Sequence, residues 1–564
     1  MNTKLQFRVL YRQFLFRLMD AELLAASARG DASQLFGQFA ALLVFLSVGS
    51  LWGAGMYAGT VRTPAEALAG AWSQEHSMLT MTMLVVGIFA VFSWDSTFPD
   101  RRDVLVLAPL PVRGRTLFTA KIAAVATALG LTVLVLNGLS AFAWALALAP
   151  DGVGILGNLR FIAAFWVALP SAGIFLYCAI LGVQGVVAQL SRRWYLRASS
   201  FLQIGAFGLI LGVFLLEPSF TTAKALGAAE NQRVLAWLPS YWFLGLVNAL
   251  SGAYPDSAMT SLARRAVAGL AIAIFFAGGA YLLSYFRTLR KIVEEPDILP
   301  GAHGGMWLPR FGSSPKTALA QFAIRTLGRS RQHRMNLAFY VGVGFALVTL
   351  IITPVEDAKR LAGIDVLRQA MNVPMLLASL MVLCLCVLGT RVSFSRPLDL
   401  RANWLFRMMP MRGGEVCLSA TRRALLALSV FPVCVGCAVL FLRYWPWVAV
   451  AKHLLLFGLF GGLLVELLLI GFRKIPYTCS YLPGKSKIHV MVLASVALLP
   501  LALINCVEFE RWVTADWLLY GAAAAMLAGA GFAVRRYTSR DLELSGEIQF
   551  EEFAADELIG LGLE

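Results

Sequence analysis

The strongest pattern along the chain is a succession of apolar runs about 20 residues long, separated by short charged segments. A helix of that length crosses about 30 Å of hydrocarbon. Barrel strands would be half as long and would alternate between apolar and polar residues. The runs cover 34–56, 78–94, 117–148, 161–190, 199–216 and 266–285, then 336–354, 373–390, 423–442, 448–472, 488–507 and 517–534. The pattern predicts an all-α polytopic integral membrane protein with about 12 transmembrane helices in two pseudo-repeated halves. Pro170 is a predicted kink in the fourth run.

Two further patterns differ from a simple span. Over 5–19, Phe7, Leu10, Phe14 and Leu18 share one helical face, while Arg8 and Arg12 lie away from it. Such a stripe predicts a helix lying in the membrane interface. A second basic helix is predicted from Lys316 to Arg334. Between the fifth and sixth runs, 237–251 is apolar but too short to span, and Trp237, Tyr241 and Trp242 suit a membrane interface. It is predicted to be a short re-entrant or interfacial helix on the outer side.

These patterns divide the chain into an interfacial helix (1–33), a first transmembrane unit (34–287), a hinge with a second interfacial helix (288–335), a second transmembrane unit (336–535) and an acidic tail (536–564). The hinge is marked by Pro296, Pro300, Gly301, Gly304, Gly305 and Pro309. After Arg540 there are acids but no Lys or Arg, which predicts a flexible tail.

Composition narrows the function classes. The 564 residues are 59% hydrophobic and 14% charged, with a mean hydropathy of +0.72. Soluble chains are about 45–50% apolar and about 25% charged, so a soluble protein is excluded. The net charge of +16 would suggest nucleic acid in a soluble protein. Here the basic residues sit in short loops between spans, so the charge is read as topology. Both termini are then cytoplasmic in an inner or plasma membrane, and no nucleic acid is expected. The eight cysteines lack metal-ligand spacing and the five histidines are scattered, so neither a metal site nor a disulfide is predicted. Cys479 to Ser486 approaches a phosphate loop, but cysteine stands where the first glycine belongs and no soluble sheet surrounds it. No catalytic grouping is visible, and no cofactor is expected in this chain.

The chemistry that remains lies in two basic turns. The first, 92–116, carries Arg101, Arg102, Arg113 and Arg115, is broken by Pro109 and Pro111, and turns at Gly114. The second, 391–415, places Arg401, Pro410, Arg412 and Gly413 where the first has Arg102, Pro111, Arg113 and Gly114. Each is predicted to form a short cytoplasmic helix with apolar side chains, Val104 and Leu105 or Trp404 and Phe406, beside arginines. That mixture suits the groove of a soluble partner. The plainer reading is a pair of basic turns needed only for topology. Glu466 lies in the middle of an apolar run, where a lone carboxylate costs at least about 2.5 kcal/mol. It is expected either to pair across the bundle or to line a pathway. Lys121, Lys452 and His453 fall near span ends and are read as snorkelling.

The order of parts resembles the permease subunit of an ABC-2 type ABC transporter. Leu107 to Lys121 is similar in kind to that family's coupling region, and Leu238-Pro-Ser-Tyr-Trp242 is similar to its outer segment. The resemblance implies an elbow helix at 5–19, coupling helices in the two basic turns, a separate cytoplasmic ATPase dimer that binds Mg-ATP, and export of an unspecified substrate. The second half departs from the pattern, because its loop between the last two runs is too short for a re-entrant pair. Two alternatives stand beside this reading: a secondary active transporter built of two halves, and a membrane structural or assembly protein that transports nothing.

Overall fold

The computed structural model describes residues 3–19, parts of 43–55, 64–98, 110, 112–150, 154–220, 231–252, 257–294, 314–330, most of 333–345, 371–397, 403–408, 414–478, 488–545 and 548. Among these residues the regular structure is helical, with no strand. Eight of the described helices are long and apolar enough to cross a membrane. Most of the predicted span 34–56, and 346–354 of the predicted span 336–354, fall outside the described residues. The chain divides into two compact units, Met1–His303 and Gly304–Glu564.

The first unit contains α1 (Thr3–Met19), α2 (Pro64–Phe92), the one-turn α3 (Trp94–Thr97), α4 (Gly114–Leu148), α5 (Gly154–Val187), α6 (Arg192–Phe220), the one-turn α7 (Gln232–Leu235), α8 (Pro239–Ser251) and α9 (Ser257–Glu294). Helix α5 is its hub, packed by α2, α4, α6, α8 and α9. Small residues permit that density, because lipid gives helices no hydrophobic reason to associate and close backbone contact must supply it. At Gly185 an added Cβ would stand 2.8 Å from Ala280 Cβ on α9. Helix α1 buries Leu10, Phe14 and Leu18 against Leu117, Ala120 and Ala124 of α4 and Tyr281 and Tyr285 of α9, while Arg8 and Arg12 stay exposed.

Helix α8, predicted to be a short re-entrant or interfacial helix, packs into the helix bundle. Pro239 opens it with a ready-made helical φ, and Gly252, at φ 67°, closes it by donating its N–H to Asn248 O at 3.0 Å. Tyr241, Phe243, Leu244 and Val247 are buried against α5, α2 and α9, and of the three interfacial aromatics only Trp237 is strongly exposed, at 83%. The reason is Gly245. A Cβ there would lie 2.5 Å from Leu262 Cβ and 2.7 Å from Met259 O, so its absence lets the two backbones touch.

The second unit contains α10 (Ser314–Arg329), α11 (Val373–Phe394), the short α12 (Asn403–Met408), α13 (Gly414–Leu425), a π-turn (Leu426–Val430), α14 (Phe431–Phe441), α15 (Trp447–Leu468), α16 (Ile488–Thr514) and α17 (Trp517–Ser545). Its hub is α11, which buries Leu376, Met381, Leu383 and Val387 and is packed by α13, the π-turn, α14, α15 and α16. The run predicted as one span at 423–442 is part of one continuous membrane-crossing helix, Gly414–Phe441, with the π-turn inside it. Pro432 has no N–H to give, and the Phe431 N–H reaches back to Leu426 O. Helices α16 and α17 outrun their predicted ends. Asp541, assigned from the sequence to a flexible tail, is on α17 and pairs with Arg473 at 3.0 Å.

Gly245→Ala is expected to destabilise the first unit by about 1–3 kcal/mol, the usual cost of overpacking a filled contact. Thermal unfolding in detergent would read this as a lowered midpoint. An unchanged midpoint would mean that α8 does not depend on the close approach.

Candidate functional site

Polar and charged side chains buried among apolar helices form the candidate site, because hydrocarbon tolerates them only where the protein pairs them. At one end of α11, Arg422 on α13 meets Glu466 on α15, with Nε 2.5 Å from Oε1. Glu466 is 7% exposed. Its Oε2 and the Arg422 Nη2 have no hydrogen-bond partner among the described residues, so the contact is a tight ion pair rather than a two-pronged one. Beside it, Arg391 of α11 donates from Nε to Leu468 O at 2.9 Å and lays its guanidinium over the Phe472 ring at 4.2 Å. Three helix ends are joined here through charge.

At the opposite end of α11, the structure brings together Ser379, His453 and Glu510. The His453 ring is fully buried, with Nε2 3.2 Å from Ser379 Oγ and Nδ1 2.6 Å from Glu510 Oε1. The Ser379 hydroxyl also donates to Leu376 O at 2.7 Å. Sequence reasoning placed His453 at a snorkelling position, placed Glu510 in a loop and found no Ser/His/acid grouping. All three expectations are corrected: α16 continues through 507–514, and the fold closes a distance that no sequence spacing reports.

The first unit has its own buried carboxylate. Glu75 Oε2 accepts from Asn248 Nδ2 at 3.1 Å, and Asn248 Oδ1 accepts from Trp72 Nε1 at 3.2 Å. The sequence reading began this span at Met78 and so missed Glu75. The signal was present in Pro64 followed by helix-forming Ala, Glu and Leu. Lys121 is also corrected. It does not snorkel but is buried, donating to Phe98 O at 2.7 Å, with its ammonium 5.2 Å from the Phe14 ring centre.

These contacts bear on the two basic turns by holding the chain where it enters them. Before the first turn, Trp94 donates to Ser199 Oγ at 2.9 Å, Gln184 donates to Trp94 O, and Tyr281 donates to Thr97 O at 3.0 Å. Of the predicted docking residues there, Arg101, Arg102, Val104, Leu105 and Pro111 lie outside the described residues, and Arg113 is exposed just before α4. In the second turn, Arg401, Pro410 and Arg412 lie outside the described residues. Trp404 is on α12, and Phe406 packs edge-on against Phe322 of α10 with ring centres 5.3 Å apart. Asn403 donates to Thr478 O at 2.7 Å, and the Tyr477 N–H donates to Phe394 O at 2.9 Å. Burial pushes the Tyr477 phenol above its ordinary range.

His333 completes that corner. Its Nε2 is 3.1 Å from Arg396 O, which can only accept, so Nε2 carries the proton and Nδ1 accepts from Ser330 Oγ at 2.6 Å. Burial holds this imidazole below its ordinary value, opposed by the bond to Arg396 O.

No family model, curated protein or solved structure matches the chain.

Two predictions follow from the pairs. Removing one partner of a buried ion pair costs about 3–5 kcal/mol, whereas replacing both by apolar residues is often neutral. Arg422→Leu alone should therefore lower the unfolding midpoint strongly, and Arg422→Leu with Glu466→Leu should recover most of it. Absence of recovery would assign the cost to packing instead. For His333, the folded state disfavours the proton relative to the unfolded chain. The unfolded chain therefore binds more protons as pH falls through about 6.5, and stability present above that pH is lost below it. Protection of the 314–334 amides, measured relative to the intrinsic exchange rate at each pH, should fall between about pH 7 and pH 5 in the wild type, and a His333→Gln variant should lack that loss of protection.

Proposed function

We propose that the chain is the transmembrane permease of an ATP-driven exporter of the ABC-2 type, working with a separate cytoplasmic ATPase dimer that binds Mg-ATP. In this reading both termini and both basic turns face the cytoplasm of a cell that holds the chain in its inner or plasma membrane. One observation carries the proposal. In each unit an amphipathic helix lies against the first turns of the helix that begins at the Pro-x-Arg-Gly sequence. In the first unit this is α1 on Leu117, Ala120 and Ala124 of α4. In the second it is Leu319 and Ala320 of α10 beside Cys417 and Ala420 of α13. In the second unit a short helix, α12, lies within the turn ahead of Pro410; the corresponding residues of the first turn, 104–109, lie outside the described residues. A partner pressing on such a turn would act on the amphipathic helix and on an apolar helix together, which is the mechanical arrangement a coupled permease needs.

A secondary active transporter is the second reading. It is favoured by the buried Glu75, Glu466 and Glu510, since carboxylates inside such helices commonly mark ion or proton pathways.

Recovery of the wild-type chain from its own membranes in mild detergent is expected to bring down an ABC ATPase subunit. Leu105→Asn with Trp404→Ala keeps every arginine, so topology should stand while recovery of the ATPase falls at least about tenfold, as loss of hot-spot side chains would cause. If no such ATPase accompanies the wild-type chain, or if the double variant retains it fully, the docking proposal fails. Transport abolished by dissipating the proton gradient while ATP is maintained would favour the second reading.

A further inference from the structure

We propose that Ser379, His453 and Glu510 form a proton-binding site whose hydrogen-bond pattern reverses when the proton leaves, with no helix needing to move. The inference rests on the geometry of the three side chains and holds whichever energy source drives the chain.

The Ser379 hydroxyl has one hydrogen and two neighbours that could accept it. Leu376 O is at 2.7 Å and His453 Nε2 at 3.2 Å. The shorter distance is the ordinary length of an O–H···O bond, and the longer one is stretched for a hydroxyl donor. The hydrogen therefore points at Leu376 O, and Nε2 carries a proton that it donates to Oγ. On the other side of the ring, Nδ1 is 2.6 Å from Glu510 Oε1. A bare ring nitrogen and a bare carboxylate oxygen both present lone pairs and would repel at that distance. A second proton must lie between them, on the nitrogen or on the oxygen. The arrangement thus holds one proton more than a neutral histidine beside a carboxylate, and the set as a whole is uncharged.

The same heavy atoms accommodate the other state. When one proton leaves to water, the ring keeps its hydrogen on Nδ1, against the carboxylate, and the Ser379 hydroxyl turns from Leu376 O to donate to Nε2. No bond between heavy atoms forms or breaks, and the set then carries one negative charge. The surroundings offer little else to take that proton. Phe441 and Phe457 flank the ring at 5.3 and 5.1 Å, and Trp445 stands at 6.4 Å. Cys384 is on α11, and Cys506 is on α16 a turn from Glu510. Tyr520 of α17 gives its hydroxyl hydrogen to Lys452 O at 3.1 Å. Lys452, the neighbour of His453 on α15, donates instead to Thr514 O at 2.9 Å and lies 3.9 Å from the Trp517 ring centre. Glu508 and Arg511 pair with each other on the exposed face of α16.

The test is solid-state nitrogen NMR of the full chain, labelled at histidine and reconstituted in lipid bilayers. The chain has five histidines, so His453 can be assigned by comparison with His453→Gln. In spectra recorded across a pH series from about 5 to about 8, His453 is expected to pass from a ring with Nε2–H and a second proton shared with Glu510 to a neutral Nδ1–H ring. In Glu510→Gln the shared proton should be missing at every pH. A His453 signal that does not change across that range overturns the proposal, and the wild-type titration decides it even if the variant fails to fold. A doubly protonated ring persisting in Glu510→Gln at about pH 8 would also overturn it, because Glu510 would not then hold the proton.

Discussion

The structure depends on one constraint: inside hydrocarbon, a polar group can be satisfied only by the protein itself. Backbone groups meet it by forming helices, and side chains meet it by finding each other across helices. That accounts for where the buried polar residues sit. Arg391 caps the carbonyl that ends α15, Lys121 holds the carbonyl of Phe98 where the chain leaves α3, and Gln203 of α6 donates to Val91 O at 2.7 Å near the end of α2. Each polar side chain ties the end of one helix to the flank of another. The charged interior is therefore also the framework that fixes helix ends.

The apolar part of the fold works through close contact. Gly185 and Gly245 let α5 and α8 come close to the backbone of α9. Aromatic side chains fill the places where helices diverge. Phe118, Tyr281 and Tyr285 cluster beneath α1, with Phe118 and Tyr285 edge-to-face and centred 5.0 Å apart. Tyr477 receives Phe322, Phe394 and His333 in the second unit. Small residues bring helices together, and large rings occupy the space where amphipathic helices meet the bundle. Both corners lie beside the entries to the basic turns.

Much of this was legible in the sequence because hydrocarbon imposes a single length scale. Runs of apolar residues identify the helices, and a one-sided apolar stripe identifies α1. The Glu466 carboxylate stood out because it interrupts such a run. What escaped the sequence escaped for physical reasons. Glu75 and Glu510 were assigned to loops because a hydropathy boundary ends where charge begins, whereas a helix continues wherever its backbone bonds continue. Ser379, His453 and Glu510 are separated by 74 and 57 residues, so no spacing motif can join them. The setting of α8 depends on the missing Cβ of Gly245, a fact about the neighbouring helix as much as about α8. Of the docking residues predicted in the two basic turns, Arg101, Arg102, Val104, Leu105, Pro111, Arg401, Pro410 and Arg412 lie outside the described segments.

The π-turn between α13 and α14 has a consequence for how one long apolar run serves two environments. An α-helix rotates about 100° per residue, and a single π-turn admits one additional residue. The faces before and after it are therefore out of phase by roughly that angle. Before it, α13 directs Arg422 inward to Glu466. After it, Phe431, Val435 and Val439 face outward. In an uninterrupted helix these two sets would lie in a different angular relation, and turning one correctly would misdirect the other. The turn acts as a phase shifter: it lets a segment that binds charge at one end present an apolar surface at the other, at the expense of a single irregular turn.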